Sequence, residues 1–426
     1  MLSIAAAMLI ACGVLIGGYF MFGSGKSKPA KTDGTAKTST AKVQPVKKVA
    51  EAGVKIVVAA ADKVTLKFGD QTISETWGDL GLSKENGVDR KKLSAALLAL
   101  KKGYDLSAAD ARMDLEARKI HKERRGRAID MYAATNAIEL AAYAGKNTIT
   151  LPTVAMLPTV TVKELGVDDI SYVLASFTTR FPIAERARNY NLKLAASKLN
   201  GFVLKPGELF SFNESVGARS AENGYKIAHV ITSGEMVDGL AGGTCQISTT
   251  LHGAAFFSGL EIVKSRPHSR PSTYVQMGLD ATVVYGFTDM HLRNNFEFPV
   301  VIHYKVARGE SVVRILGKKR PYDRVEFHRE VLKRIPFDTV TRESDEMPIG
   351  SMIVEQHGFP GYKVRRTRKY YRNGKVVKKD RWVLNYRPVR EYVINGTNPD
   401  PNLPPPKQKR GHGPRPPRQT TMRISQ

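Results

Sequence analysis

"LAGGTCQISTTLHGAAFFSGLEIV", residues 240–263, is the stretch on which the reading of this chain turns. Gly242 and Gly243 permit a tight turn, and Thr244 is a good helix N-cap. Ile247, Leu251, Ala254 and Ala255 then follow at the spacing of one buried helical face. That places Cys245 in the first helical turn. There the helix dipole favours a thiolate, and unpaired main-chain N–H groups are able to hold an oxyanion. The one other cysteine, Cys12, lies in a separate apolar stretch. A lone thiol in an oxidising compartment needs a reason to be there. Two readings stand: a nucleophile, or a small buried hydrophobe that packs and does nothing else.

The compartment is read from the ends of the chain. Residues 2–22 carry no charge over about the length of a bilayer core, so a transmembrane helix or signal anchor is expected at residues 1–23. Leu9 to Cys12 has the look of a lipobox, but the apolar run continues past the cysteine, which argues for an anchor instead. Lys26, Lys28 and Lys31 follow the run with no basic residue before it, against the usual rule for export. The expected placement is nonetheless membrane-anchored, with the body on the outer side. Residues 24–50 are Lys-, Thr-, Ala- and Gly-rich and read as a disordered tether; residues 398–426 read as a disordered, basic, Pro-rich tail.

Across 426 residues, 66 Lys and Arg stand against 40 Asp and Glu, a net charge of +26 that points to a polyanionic partner. Zinc-ligand spacing, a basic zipper and RNP-like aromatics are lacking, so no nucleic acid is expected. Peptidoglycan or another anionic cell-wall polymer would attract the same charge. The histidines show no HExxH pattern, and neither a Walker nor a dinucleotide motif occurs, so no metal and no cofactor are expected.

Between the two ends lie three blocks. Residues 51–168 mix short strands with a helical pattern that runs from about Asp130 to Tyr143 and stops at Gly145. The order "ARMDLEARKI…GRAID…PTVTVKELG" resembles the peptidoglycan-binding domain found ahead of L,D-transpeptidase and VanW domains. Residues 169–318 contain "FSFNESVG", "ENGYKIAHVI", "GGTCQISTTL", "PHSRPSTYVQMGLDATVVYGFTDMHLRNN" and "FPVVI". Together these resemble the VanW family, related to vancomycin resistance. Ala241 and Thr244 depart from the family's usual three glycines and an aliphatic residue before the Cys-Gln pair. Residues 335–397 alternate like short strands, with an Asn373-Gly374 hairpin signal and Gly350, Gly358, Gly361, Gly374 and Gly396 as punctuation. This resembles the small all-β module named for its five glycines.

A nucleophile needs a base, and the base needs a group to orient it. Downstream of Cys245 come His268, then Asp280, with Asp289 in reserve. Papain-like and transglutaminase-like cysteine enzymes share this order of residues, an analogy of order alone. His252 lies two helical turns past Cys245, out of reach. Gly242, Gly243, Gln246, Asn213, Arg180, Tyr225 and Tyr274 are the candidate substrate-binding residues, Arg180 for a carboxylate and the tyrosines for stacking.

The expected fold class is α+β and multidomain: an N-terminal transmembrane helix, an α+β wall-binding domain, an α+β VanW core and a small all-β module. The expected function is a cell-envelope protein that binds peptidoglycan. Its VanW domain either acts on wall glycan or stem peptide by cysteine-dependent acyl transfer or hydrolysis, as a transpeptidase or amidase does, or serves as an adaptor with a structural Cys245.

Overall fold

A computed structural model describes residues 53–232, 235–400 and 402–404. The helix expected at residues 1–23, the tether and most of the tail lie outside the described residues. Among the described residues no helix is long and apolar enough to cross a membrane. The class also needs correction. The described residues are mostly β, with 41% strand against 19% helix, rather than the balanced α+β class expected. Helical spacing is easy to see in sequence. The excess of strand comes largely from the C-terminal block, where Arg324–Ile335, Gly361–Arg372 and Lys375–Tyr386 each run for 12 residues.

In the first block, strand Lys63–Phe68 pairs antiparallel with Gln71–Thr76 and parallel with Thr148–Thr150. Helices Arg90–Tyr104 and Met131–Ala144 cover it, with Leu93, Leu97, Ala134 and Ile138 turned onto Val64, Leu66 and Trp77. Asp89 and Asp130 cap their N-termini through side-chain bonds to main-chain N–H groups. Gly145 closes the second helix in the left-handed conformation.

The middle block is built on a four-stranded antiparallel sheet in the order Tyr172–Arg180, Glu310–Gly317, Val300–Ala307, Phe202–Leu204. Helix Thr244–Ser258, the cysteine helix, lies on this sheet. Glycine at position 253 permits the approach, since a Cβ there would stand 2.4 Å from the Phe177 ring. Every residue of the helix is buried except Cys245 and Phe257. The single apolar face expected from the sequence is therefore half the account. Ser248, Thr249 and His252, which resemble a solvated face, are buried against a second layer, while Thr250 meets Thr179 on the sheet at 2.8 Å. Ser248 Oγ donates to Ala281 O at 2.6 Å, Ala281 N to Thr249 Oγ1 at 3.1 Å, and His252 Nδ1 to Leu279 O at 2.8 Å. Hydroxyls thus dock the 279–283 segment on the helix, and that segment carries Asp280.

In the last block, Gly361–Arg372 pairs with both Arg324–Ile335 and Lys375–Tyr386. Asn373 and Gly374, at φ 51° and 70°, make the turn between the last two. A second sheet sets Glu391–Asn398 between Thr339–Pro348 and Met352–Gln356. The first of these sheets packs on the cysteine helix through two buried arginines. Arg368 Nη1 donates to Phe256 O at 3.1 Å and Leu260 O at 2.9 Å, satisfying carbonyls at the helix C-terminus. Arg366 Nη1 reaches Gly278 O at 2.9 Å and His252 Nε2 at 3.2 Å, and its guanidinium stacks 4.2 Å from the Trp382 ring. Burial, with the positive Arg366 adjacent, pushes the His252 pKa down to about 3, so the imidazole is neutral and its Nε2 accepts from the arginine.

Candidate active site

The cysteine helix starts at a glycine because nothing else fits there. Gly243 is the N-cap, at φ 104°, and a Cβ on it would lie 3.1 Å from Arg188 Cγ. Thr244 is not the cap expected from the sequence; it is the first helical residue, and its hydroxyl donates to Ala241 O at 2.8 Å. Cys245 follows in the first turn, half-buried and free. Its thiol donates to Val283 O at 3.3 Å and receives a long contact from Thr282 Oγ1 at 3.9 Å.

His268 and Asp280 lie behind it. His268 Nδ1 stands 3.0 Å from Asp280 Oδ2, and the same oxygen accepts from the His268 main-chain N–H at 2.7 Å. The carboxylate therefore fixes both the ring and its backbone. With Nδ1 committed, Nε2 is the free nitrogen, 3.5 Å from the Tyr274 hydroxyl. Burial works against ionisation of the thiol, but the adjacent His268 outweighs it, with help from the Thr282 hydroxyl. The Cys245 pKa is held below its ordinary value. Burial likewise works against an imidazolium, but Tyr274, Asp280 and Cys245 raise the His268 pKa well above the usual range. Asp280 is buried too, and His268 and Tyr386 keep its pKa low. The imidazolium favours both the thiolate and the carboxylate.

The third support comes from the last block. Tyr386 donates its hydroxyl to Asp280 Oδ1 at 2.6 Å and accepts from Gly278 N at 2.6 Å, so a residue more than a hundred positions downstream braces the carboxylate. Sequence reading missed Tyr386, Arg366 and Arg368. The period-two alternation of Val364, Arg366, Arg368 and Tyr370 was the available signal, since a strand face that begins and ends on buried side chains buries those between them.

Cys245 and His268 open to a cleft of about 1090 Å³, lined also by Gly242, Gly243, Gln246, Tyr274 and, from the last block, Val383, Leu384, Asn385 and Arg387. Gln246 is pinned: its amide nitrogen donates to Thr179 Oγ1 and Arg180 O, both at 3.0 Å, and its oxygen accepts from Arg188 Nη2 at 2.7 Å. Other sequence candidates sit elsewhere. Arg180 is exposed and pairs with Glu310 at 3.1 Å. Tyr225 is buried in the core, outside the cleft lining. Asp289 does not join His268; it accepts from Ser211 Oγ at 2.6 Å and Asn213 N at 2.9 Å and pairs with His291 at 2.8 Å. Asn213 lines a smaller neighbouring cavity with Asp289, and its amide donates to Thr288 O at 3.0 Å. Among the described residues no group of His, Cys, Asp and Glu is arranged to hold a metal ion.

Fold and site together define a β-rich protein with a cysteine–histidine–aspartate cluster at the seam of two domains. Residues 187–316 match the family described as VanW like protein, and residues 328–398 match the G5 domain. The chain thus carries a VanW-like domain with a C-terminal G5 module. It is 33% identical over 192 residues to the uncharacterized protein YoaR of Bacillus subtilis (strain 168), covering 45% of this chain and 63% of that protein. It is 29% identical over 144 residues to the vancomycin B-type resistance protein VanW of Enterococcus faecalis (strain ATCC 700802 / V583), covering 33% of this chain and 52% of the relative. The matched region thus spans less than two thirds of either relative. A solved IgA1 protease G5 domain is 24% identical, covers 17% of this chain and 90% of its own, and superposes with a TM-score of 0.14.

Proposed function

We propose that this protein works on the cell wall, outside the cytoplasm, and that its VanW-like domain performs cysteine-dependent acyl transfer or hydrolysis on a wall peptide. Cys245 is the nucleophile, His268 the acid and base, and Asp280 the group that orients His268. The observation that supports this reading is the His268–Asp280 pair at 3.0 Å, set behind a half-buried thiol at a helix start and open to a cleft.

In the first step the thiolate attacks an amide carbonyl, forming the S–C bond. His268 hands its proton to the departing amine as the C–N bond breaks, leaving a thioester. Water or an acceptor amine then attacks, His268 takes its proton, and Cys245 leaves as thiolate. Thr244 N and Gln246 N are spent on Ala241 O at 3.2 Å and Gly243 O at 2.8 Å, which leaves the Cys245 N–H as the first-turn donor for an oxyanion.

The wall setting is supported by the pairing of a VanW-like domain with a G5 module, by the VanW relative's role in vancomycin resistance, and by the net charge of +26. Residues 51–168, which resemble a peptidoglycan-binding domain, would hold the polymer. The test incubates the full chain with purified sacculi and compares muropeptides by mass spectrometry. Wild type should change them and Cys245→Ala should not, while both still sediment with the sacculi. A change made equally by Cys245→Ala overturns the reading.

A further inference from the structure

We propose that the cleft in front of Cys245 recognises a carboxylate, so that the acyl substrate is a peptide carrying a free carboxylate beside the bond attacked, with Arg219 as the principal contact. This rests on Cys245 being a nucleophile that opens to the cleft. The first observation is the sign of the walls. Arg188, Arg219, Arg266 and Arg387 line the cleft, and neither Asp nor Glu does among the described residues. Most basic surfaces of a protein are interleaved with acids; this one is not.

The second observation is Arg219 itself. Its Nη1 donates to Asn213 Oδ1 at 2.6 Å, and it lies over the Phe212 and Tyr285 rings at 5.5 Å and 5.9 Å. That grip fixes the guanidinium from behind. Its other terminal nitrogen, Nη2, is buried with no hydrogen-bond partner among the described residues. A buried cationic donor without an acceptor is unfavourable, and a ligand oxygen would relieve it. Burial holds the Arg219 pKa below the ordinary value, and Arg219 lines the same cleft as Cys245.

The third observation is that the rim is built rather than loose. Arg188 is held between Gln246 Oε1 at 2.7 Å and Glu185 at 3.6 Å. Arg387 is brought in from the G5 module by its main-chain N–H, which donates to Ser269 O at 3.0 Å, one residue past His268. Cations on both banks of a cleft roomy enough for a peptide favour an anionic ligand. The acyl transfer proposed for Cys245 needs an acyl carbon, and a peptide's own anion is a carboxylate. The planar fork of a guanidinium matches its two oxygens.

Alkylation of Cys245 tests this without any knowledge of the substrate. Rates with neutral iodoacetamide and anionic iodoacetate are measured on the full chain at the Cys245 peptide, with free glutathione as reference. The iodoacetate-to-iodoacetamide ratio should exceed that of glutathione by about tenfold, the worth of one charge-assisted hydrogen bond. Arg219→Gln should return it towards the reference, and because the ratio divides out any change in thiolate reactivity common to both reagents, that return reads the lost contact to the carboxylate alone. Arg387→Gln, at an exposed side chain, should lower the ratio by a smaller factor and serves if Arg219→Gln fails to fold. An acetylated tripeptide with a free C-terminal carboxylate should protect Cys245 from iodoacetamide better than its C-terminal amide. Normal iodoacetamide labelling with no preference for iodoacetate, in wild type, overturns the carboxylate assignment and leaves the nucleophile standing. No labelling by either reagent overturns both.

Discussion

Replacing Tyr386 by Phe removes one oxygen atom and tests whether the G5 module is part of the active site. The hydroxyl donates to Asp280 Oδ1 and accepts from Gly278 N, both at 2.6 Å, and Tyr386 and Asp280 are 0% and 2% exposed. Its loss leaves a buried carboxylate oxygen and a buried N–H without their main partner. Gly278 N retains only a 3.4 Å contact to Asp280 Oδ1. A buried hydrogen bond to a charged group is worth about 1.5–3 kcal/mol, and an orphaned buried donor adds a similar cost, so a stability loss of about 2–4 kcal/mol is expected. The effect on chemistry runs along the chain of charges. An Asp280 carboxylate no longer fixed in place by Tyr386 holds the His268 imidazolium less well, and the imidazolium in turn supports the Cys245 thiolate less. If a third to a half of about 2 kcal/mol reaches the thiolate, its pKa rises by about 0.5–0.7. Iodoacetamide labelling of Cys245 against pH reads this directly. In wild type the midpoint should lie below the ordinary thiol range, and in Tyr386→Phe it should move up. An unshifted midpoint in a folded Tyr386→Phe protein would show that the tyrosine only packs.

Three more outcomes follow from other contacts. His268→Ala should raise the Cys245 labelling midpoint further than Tyr386→Phe, since it removes both the hydrogen bond and the charge that favour the thiolate; an unchanged midpoint would sink the pairing. Asp289→Asn should leave that midpoint in place, because Asp289 serves Ser211, Asn213 and His291 and not His268, and a shift would join it to the proposed set of Cys245, His268 and Asp280. Gly253→Ala should destabilise by about 1–3 kcal/mol in denaturant titration, because its methyl meets Phe177 at 2.4 Å and forces the cysteine helix off the sheet; a neutral result would mean that the ring gives way freely.

The sequence made Cys245, His268 and Asp280 legible as a set because each sits in a short local pattern with the right chemistry and order. It did not separate Asp280 from Asp289, which share a segment and differ only in what folds beside them. The His268 main chain donates to the first, and the Ser211–Asn213 turn to the second. The cysteine helix was legible in position but not in burial, since Ser248, Thr249 and Thr250 are polar by type and lose that meaning once Ala281 and Thr179 satisfy them. Membership of the strands was hardest. Arg366 and Arg368 read as surface charge in a basic strand, yet both are 1% exposed. Their burial depends on Trp382, Phe256 and the end of a helix far away in the chain; the alternation with Val364 and Tyr370 marks the face but not what covers it.

The seam between the two modules bears on how such proteins are inherited. Between residues 316 and 328, where one family match ends and the next begins, a cut in the chain looks harmless. In three dimensions it falls between Asp280 and the tyrosine that braces it, and between the cysteine helix and the two arginines that close its far end. A G5 module borrowed from another protein would have to arrive with arginines at two alternate strand positions and a tyrosine near the end of the next strand. Recombination at that junction therefore trades a working pair for two strangers, and the domains are expected to descend together, as one lineage rather than as interchangeable parts.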